Sequence, residues 1–162
     1  MSSAPPPYRH TQRAPLKDVL ALVRKQRRTR VSIQPQMDCV ADAVALIKQM
    51  KAEQWVGFND GDLDYMAEVK RLTPDIPVFW DRGKDTNIDE DINVARQHGF
   101  EALVLHHEGA TPVKIQKVKR AGLEIGAWVV NDRATLRRLL DAGVRRIYTD
   151  NPRLLLSLHA GH

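Results

Sequence analysis

Three neighbouring side chains, His106, His107 and Glu108, have the donor atoms to hold a metal ion or to exchange a proton near neutral pH. They follow an apolar run, Ala102 to Leu105, and barrel folds place their chemistry at such strand ends. Adjacent strand residues point to opposite faces, so His106 and Glu108 are expected to act together and His107 to point away. The roles open to His106 and Glu108 are metal ligation, acid–base exchange, or no catalytic part at all. A second acidic run, Asn59-Asp60-Gly61-Asp62-Leu63-Asp64, resembles a fragment of a calcium loop, but it lacks the bidentate glutamate that closes one. A strand-to-helix turn with carboxylates at the positive end of a helix explains it better. Cys39 is the single cysteine and cannot form an internal disulfide; it reads as a small residue in the first turn of a helix. His98, His159 and His162 read as surface or terminal residues.

Charge narrows the classes of partner. The chain carries a formal net charge of +5, and Arg24, Lys25, Arg27, Arg28 and Arg30 crowd one helix end and the loop after it. Cations there complement the negative end of the helix dipole, which leaves a solvated helix terminus or an anionic surface as readings. Nucleic-acid binding would add stacking aromatic residues or a reading motif, and this stretch has neither. No apolar run approaches the length that crosses a bilayer, and the N-terminus lacks the basic-then-apolar pattern of a secretory signal, so a cytoplasmic protein is expected.

These residues need elements to hold them. With 162 residues, 43% of them hydrophobic, the chain can build one domain with a core. Residues 1–14, with Pro5-Pro6-Pro7, read as a flexible proline-rich tail, and residues 15–162 as the domain. Leu16, Val19, Leu20 and Val23 share one face of a helix that ends near Lys25. Six apolar runs follow: Val31 to Ile33, Trp55 to Phe58, Ile76 to Trp80, Ala102 to Leu105, Ile125 to Val130, and Ile147 to Tyr148. They do not alternate cleanly between apolar and polar, as expected of parallel strands covered on both faces, and a polar turn and a helix follow each. The class is α/β. Gly99, Gly122 and Gly143 recur about every 22 residues and are expected to end helices in the left-handed conformation. Thr111-Pro112 and Asn151-Pro152 mark helix starts. Six such units suit an open doubly wound sheet or most of an eight-stranded barrel. No glycine-rich nucleotide loop follows any strand.

Particular motifs carry a resemblance. Trp128-Val129-Val130-Asn131-Asp132, then Leu139-Leu140-Asp141-Ala142-Gly143-Val144, then Tyr148-Thr149-Asp150-Asn151-Pro152 resemble in order and spacing the end of the glycerophosphodiester phosphodiesterase family. Pro15 to Leu20, Gly57-Phe58-Asn59 and Leu72 to Pro77 extend the likeness from about residue 15 to the C-terminus. The resemblance implies an incomplete TIM (β/α) barrel of about six parallel strand–helix units, corresponding to the last six of eight. It also implies a parent activity, the metal-dependent hydrolysis of a glycerophosphodiester to glycerol 3-phosphate and an alcohol.

By the same resemblance, Val31-Ser32-Ile33-Gln34-Pro35 stands where the family reads Ile-Glu-Ile-Lys-Pro. The family's glutamate there holds a divalent cation, magnesium or calcium, and its lysine meets a phosphate. Ser32 offers a neutral hydroxyl and Gln34 no positive charge. The family's catalytic histidines sit in His-Arg-Gly and His-Asp motifs, and neither motif occurs in this sequence. The expectation is therefore a chain without a metal cofactor and inactive alone, or a binding or assembly module that pairs with a second copy or a partner chain over the open barrel. Trp128, Asn131 and Phe58 are the substrate-lining residues that the resemblance implies, for a ligand of glycerophosphodiester type. The plainer roles open to them are core packing for Trp128 and Phe58 and a helix cap for Asn131. The family's sequences often carry a histidine near His106 without using it in catalysis.

Overall fold

The computed structural model describes residues 14–159, with the side chains of residues 158 and 159 left aside. The proline-rich stretch and His162 lie outside the described residues, as does the side chain of His159. Helix α1 (Leu16–Gln26) buries Leu20 and Val23 and stops where Arg27 takes a left-handed conformation, its N–H returning to Val23 O. Gln26 then accepts from the backbone of Arg28 and Thr29, which turns the basic loop toward the first strand.

Strand β1 (Val31–Ile33) is followed by α2 (Val40–Gln49), a single 3-10 turn at Glu53–Trp55, β2 (Val56–Asp60) and α3 (Leu63–Leu72). Next come β3 (Val78–Arg82), α4 (Ile88–His98), β4 (Ala102–His106), α5 (Pro112–Arg120), β5 (Glu124–Trp128), α6 (Arg133–Asp141), β6 (Arg146–Ile147) and α7 (Pro152–His159). The strands pair in sequence order, all parallel. The sheet is a curled half-barrel with helices on its outer side, an incomplete TIM-type barrel. It is not a doubly wound sheet.

The alternation that the sequence conceals is plain in the packing. Val56, Phe58, Val78, Trp80, Leu103, Leu105, Ile125 and Ala127 join the helices in one large core. The residues between them, Phe79, Ala102 and Val104, form a smaller cluster on the inward face with Trp128 and Tyr148 packed against it. Both faces are apolar along most of their length, which is why the strands read as continuous hydrophobic runs. Gly99, Gly122 and Gly143 have φ of 72°, 78° and 87°, as helix termination requires. Thr111 accepts from Lys114 N, and Asn151 from Leu154 N, at the two helix starts.

Strand limits differ from expectation at several ends. Trp55 belongs to the 3-10 turn, Ile76 is buried in the core before β3 begins, and β5 ends at Trp128. The sheet's pairing continues past the last, where Val130 N donates to Tyr148 O at 2.9 Å.

Candidate functional site

Three polar side chains step across the inward face. Ser32 lies opposite Gly57, Asn59 opposite Phe79 and Asp81 opposite Val104, so each stands two residues further along its strand than its neighbour. The stagger of a curling sheet brings such residues together. Ser32 Oγ donates to Asn59 Oδ1 at 2.6 Å, and Asn59 Nδ2 donates to Asp81 Oδ2 at 3.2 Å. Asp81 Oδ1 and the hydroxyl of Tyr148 are buried with no hydrogen-bond partner among the described residues. Burial pushes the Asp81 carboxyl up to about 6, against the lowering effect of Asn59 and with a further rise from Asp60. Burial also raises the Tyr148 phenol, while Ser32 and Arg146 nearby pull it back.

Asn59, Asp81 and Tyr148 border a cleft of about 580 Å³ at the C-terminal ends of the strands. Gln34, Asn59 and Asp81 line one side, Trp128, Val129 and Tyr148 the other, and Arg82 stands between Asp81 and Gly83. The Trp128 indole is fixed by its Nε1, which donates to Val104 O at 3.2 Å. His106 meets that ring edge-on, with centroids 5.0 Å apart.

The histidine cluster differs from its expected geometry. The strand ends at His106, so alternation stops there, and the rings of His106 and His107 stack at 4.6 Å. Glu108 turns aside to Lys84, 2.8 Å away, and that ammonium holds its carboxyl below the usual range. His106 Nδ1 accepts from Glu108 N at 3.3 Å, which places the neutral ring's proton on Nε2.

Phe58 is fully buried in the helix-side core, away from the cleft, so packing is its role. Asn131 does not cap α6, because Asp132 does so through Thr135 N. Asn131 instead ties two loops, accepting from Asp150 N and Thr149 Oγ1 and donating to Asp150 Oδ2 at 2.8 Å. In the acidic run, Asp62 caps α3 by accepting from Tyr65 N, and Asp60 accepts from Asp62 N. That is a strand-to-helix turn. Cys39 stands immediately before the first turn of α2, partly buried.

Asp81, Arg82 and Tyr148 escaped the sequence reading as site residues. The signal for Asp81 and Arg82 is a charged pair closing an apolar strand at the end where barrels carry chemistry.

A sequence profile of the glycerophosphoryl diester phosphodiesterase family matches residues 17–154. The chain belongs to this family. No curated protein matches it by sequence. A glycerophosphodiester phosphodiesterase from Parabacteroides distasonis superposes with a TM-score of 0.76 at 22% identity, over 90% of this chain and 63% of that one. A phosphodiesterase from Oleispira antarctica, solved with its product sn-glycerol-3-phosphate, gives 0.75 at 14% identity over 90% and 61%. A Thermotoga maritima member gives 0.66 at 18% identity over 80% and 57%. The chain spans 56% to 64% of the length of the first structures that it matches.

Family membership raises the question of a divalent metal. The Ser32 hydroxyl is neutral and its proton is committed to Asn59. Among the described residues, no three His, Cys, Asp or Glu side chains converge on one point. A hard cation needs several carboxylate or carbonyl oxygens, and this donor set does not fit one.

Proposed function

We propose that this phosphodiesterase-family chain is a non-hydrolytic binder of a small glycerophosphodiester-type molecule, held in the cleft without a metal. The carrying observation is the relay from Ser32 through Asn59 to Asp81. At the strand position where the family resemblance puts a metal carboxylate, this chain has a hydroxyl already engaged as a donor. Trp128 offers the cleft a fixed aromatic wall, Gln34 a neutral amide, and Asn131 holds the loops behind them. Without a cation on the phosphoryl oxygens, the charge that develops during hydrolysis has no such partner. His106, with Nδ1 occupied and Glu108 turned to Lys84, serves as packing for Trp128.

The test is hydrolysis by the purified chain with magnesium or calcium, and with chelator. No chelator-sensitive release of glycerol 3-phosphate is expected; such release would overturn the inactive reading. Ser32→Glu with Gln34→Lys, which restores the family's charges, is expected to raise divalent-cation affinity, read by calorimetry.

The open sheet favours a second reading. Among the described residues, β1 and β6 each pair on one side only, and such edges invite pairing with another chain. Light scattering that shows a monodisperse monomer with cooperative unfolding would remove assembly as the role.

A further inference from the structure

We propose that Arg82 is the oxyanion-binding group of the cleft, taking the phosphoryl or carboxylate oxygens of its ligand in place of the lysine that Gln34 replaces. This rests on the cleft being a ligand site. Arg82 and Asp81 are the charged residues in the cleft wall, and they leave β3 on opposite faces. The Arg82 guanidinium is held on two sides. Its Nε donates to Asp91 Oδ1 at 2.8 Å, and its central carbon lies 4.0 Å from the centroid of the Trp80 ring. Asp91 is buried, 3% exposed, and its second oxygen accepts from Thr86 Oγ1. The two terminal amino groups of Arg82 have no protein partner among the described residues, and the side chain keeps 26% of its surface exposed. A planar fork with one edge anchored and the other free is the geometry that accepts two oxygens of a phosphate or carboxylate. Neighbouring cations are already committed, Lys84 to Glu108 and Arg146 to both oxygens of Glu124. Asp81 repels an anion from the inner wall and so confines it to the Arg82 rim.

The experiment titrates the full chain with sn-glycerol 3-phosphate, inorganic phosphate and glycerol, followed by NMR shifts. Arg82→Lys keeps a cation for Asp91 but removes the fork, and it is expected to weaken both phosphate-bearing probes about tenfold while leaving glycerol unchanged. Arg82→Gln is expected to weaken them further, and Asp81→Asn to strengthen them. Unchanged phosphate affinity in Arg82→Lys overturns the assignment, even if Arg82→Gln fails to fold. Binding of glycerol without either phosphate probe overturns it while leaving the ligand site standing. Binding of none of the three overturns the ligand site itself.

Discussion

The two faces of the sheet are built on opposite terms. On the outer face Phe58, Leu103 and Leu105 are fully buried against helices and carry no polar atom that needs a partner. On the inner face a chain of three polar side chains ends on Asp81 Oδ2, while Asp81 Oδ1 and the Tyr148 hydroxyl are buried with no hydrogen-bond partner among the described residues. Burying polar groups unpartnered costs free energy, so these polar groups subtract from the stability that the small inner cluster of Phe79, Ala102 and Val104 adds. The outer layer holds the fold, and the inner layer keeps a polar surface that suits a ligand.

The largest effects should therefore come from the outer face. Phe58→Ala is expected to lower unfolding free energy by about 3–5 kcal/mol in denaturant titration, through lost burial and the cavity left behind. Trp128→Phe, on the inner face, keeps an aromatic ring and loses the bond to Val104 O. About 1 kcal/mol is expected there. Equal losses at the two positions would break the contrast between the faces.

Next in size is a change that should stabilise. Asp81 is raised from 3.8 to about 6 by burial, so the folded chain binds its proton more tightly than the unfolded chain does. Its contribution is fully present below the unfolded value and is lost as pH rises through about 6. Two units correspond to about 3 kcal/mol, and solvent reaching part of the carboxyl reduces this to about 1–2 kcal/mol. Asp81→Asn should raise the stability at pH 8 by that amount and change it little near pH 4. A substitution that destabilises equally at both pH values would show that Asp81 is a structural hydrogen-bond acceptor instead.

The same contrast explains what could be read without a structure. The strands, the helix caps at Thr111 and Asn151 and the three glycine stops were legible because each depends on local preference or on an apolar run. The sidedness of Phe58 was not, since both faces of a covered parallel strand are apolar and the run carries no phase. Asp81 and Tyr148 meet only because the sheet curls, across 67 residues of sequence; no spacing announces that. The separation of Glu108 from His106 is hidden for a smaller reason: β4 ends at His106, alternation does not hold beyond it, and Lys84 claims the carboxylate.

The smallest effect tests whether the loops at the cleft belong to the outer or the inner regime. Asn131 makes three hydrogen bonds to the loop after β6, two accepted from Thr149 and Asp150 and one donated to Asp150, yet it is exposed. Water can replace exposed partners, so Asn131→Ala is expected to cost only about 0.5–1 kcal/mol of global stability. Its larger consequence should be local. Val129, two residues earlier, and Tyr148, just before the clamped loop, both line the cleft, and freeing their loops should loosen that wall. Hydrogen exchange is expected to speed up at residues 129–132 and 148–151 while α3 and α4 stay protected, because subglobal opening there is governed by few bonds. A uniform acceleration across the chain would place Asn131 with Phe58, among the residues that hold the fold.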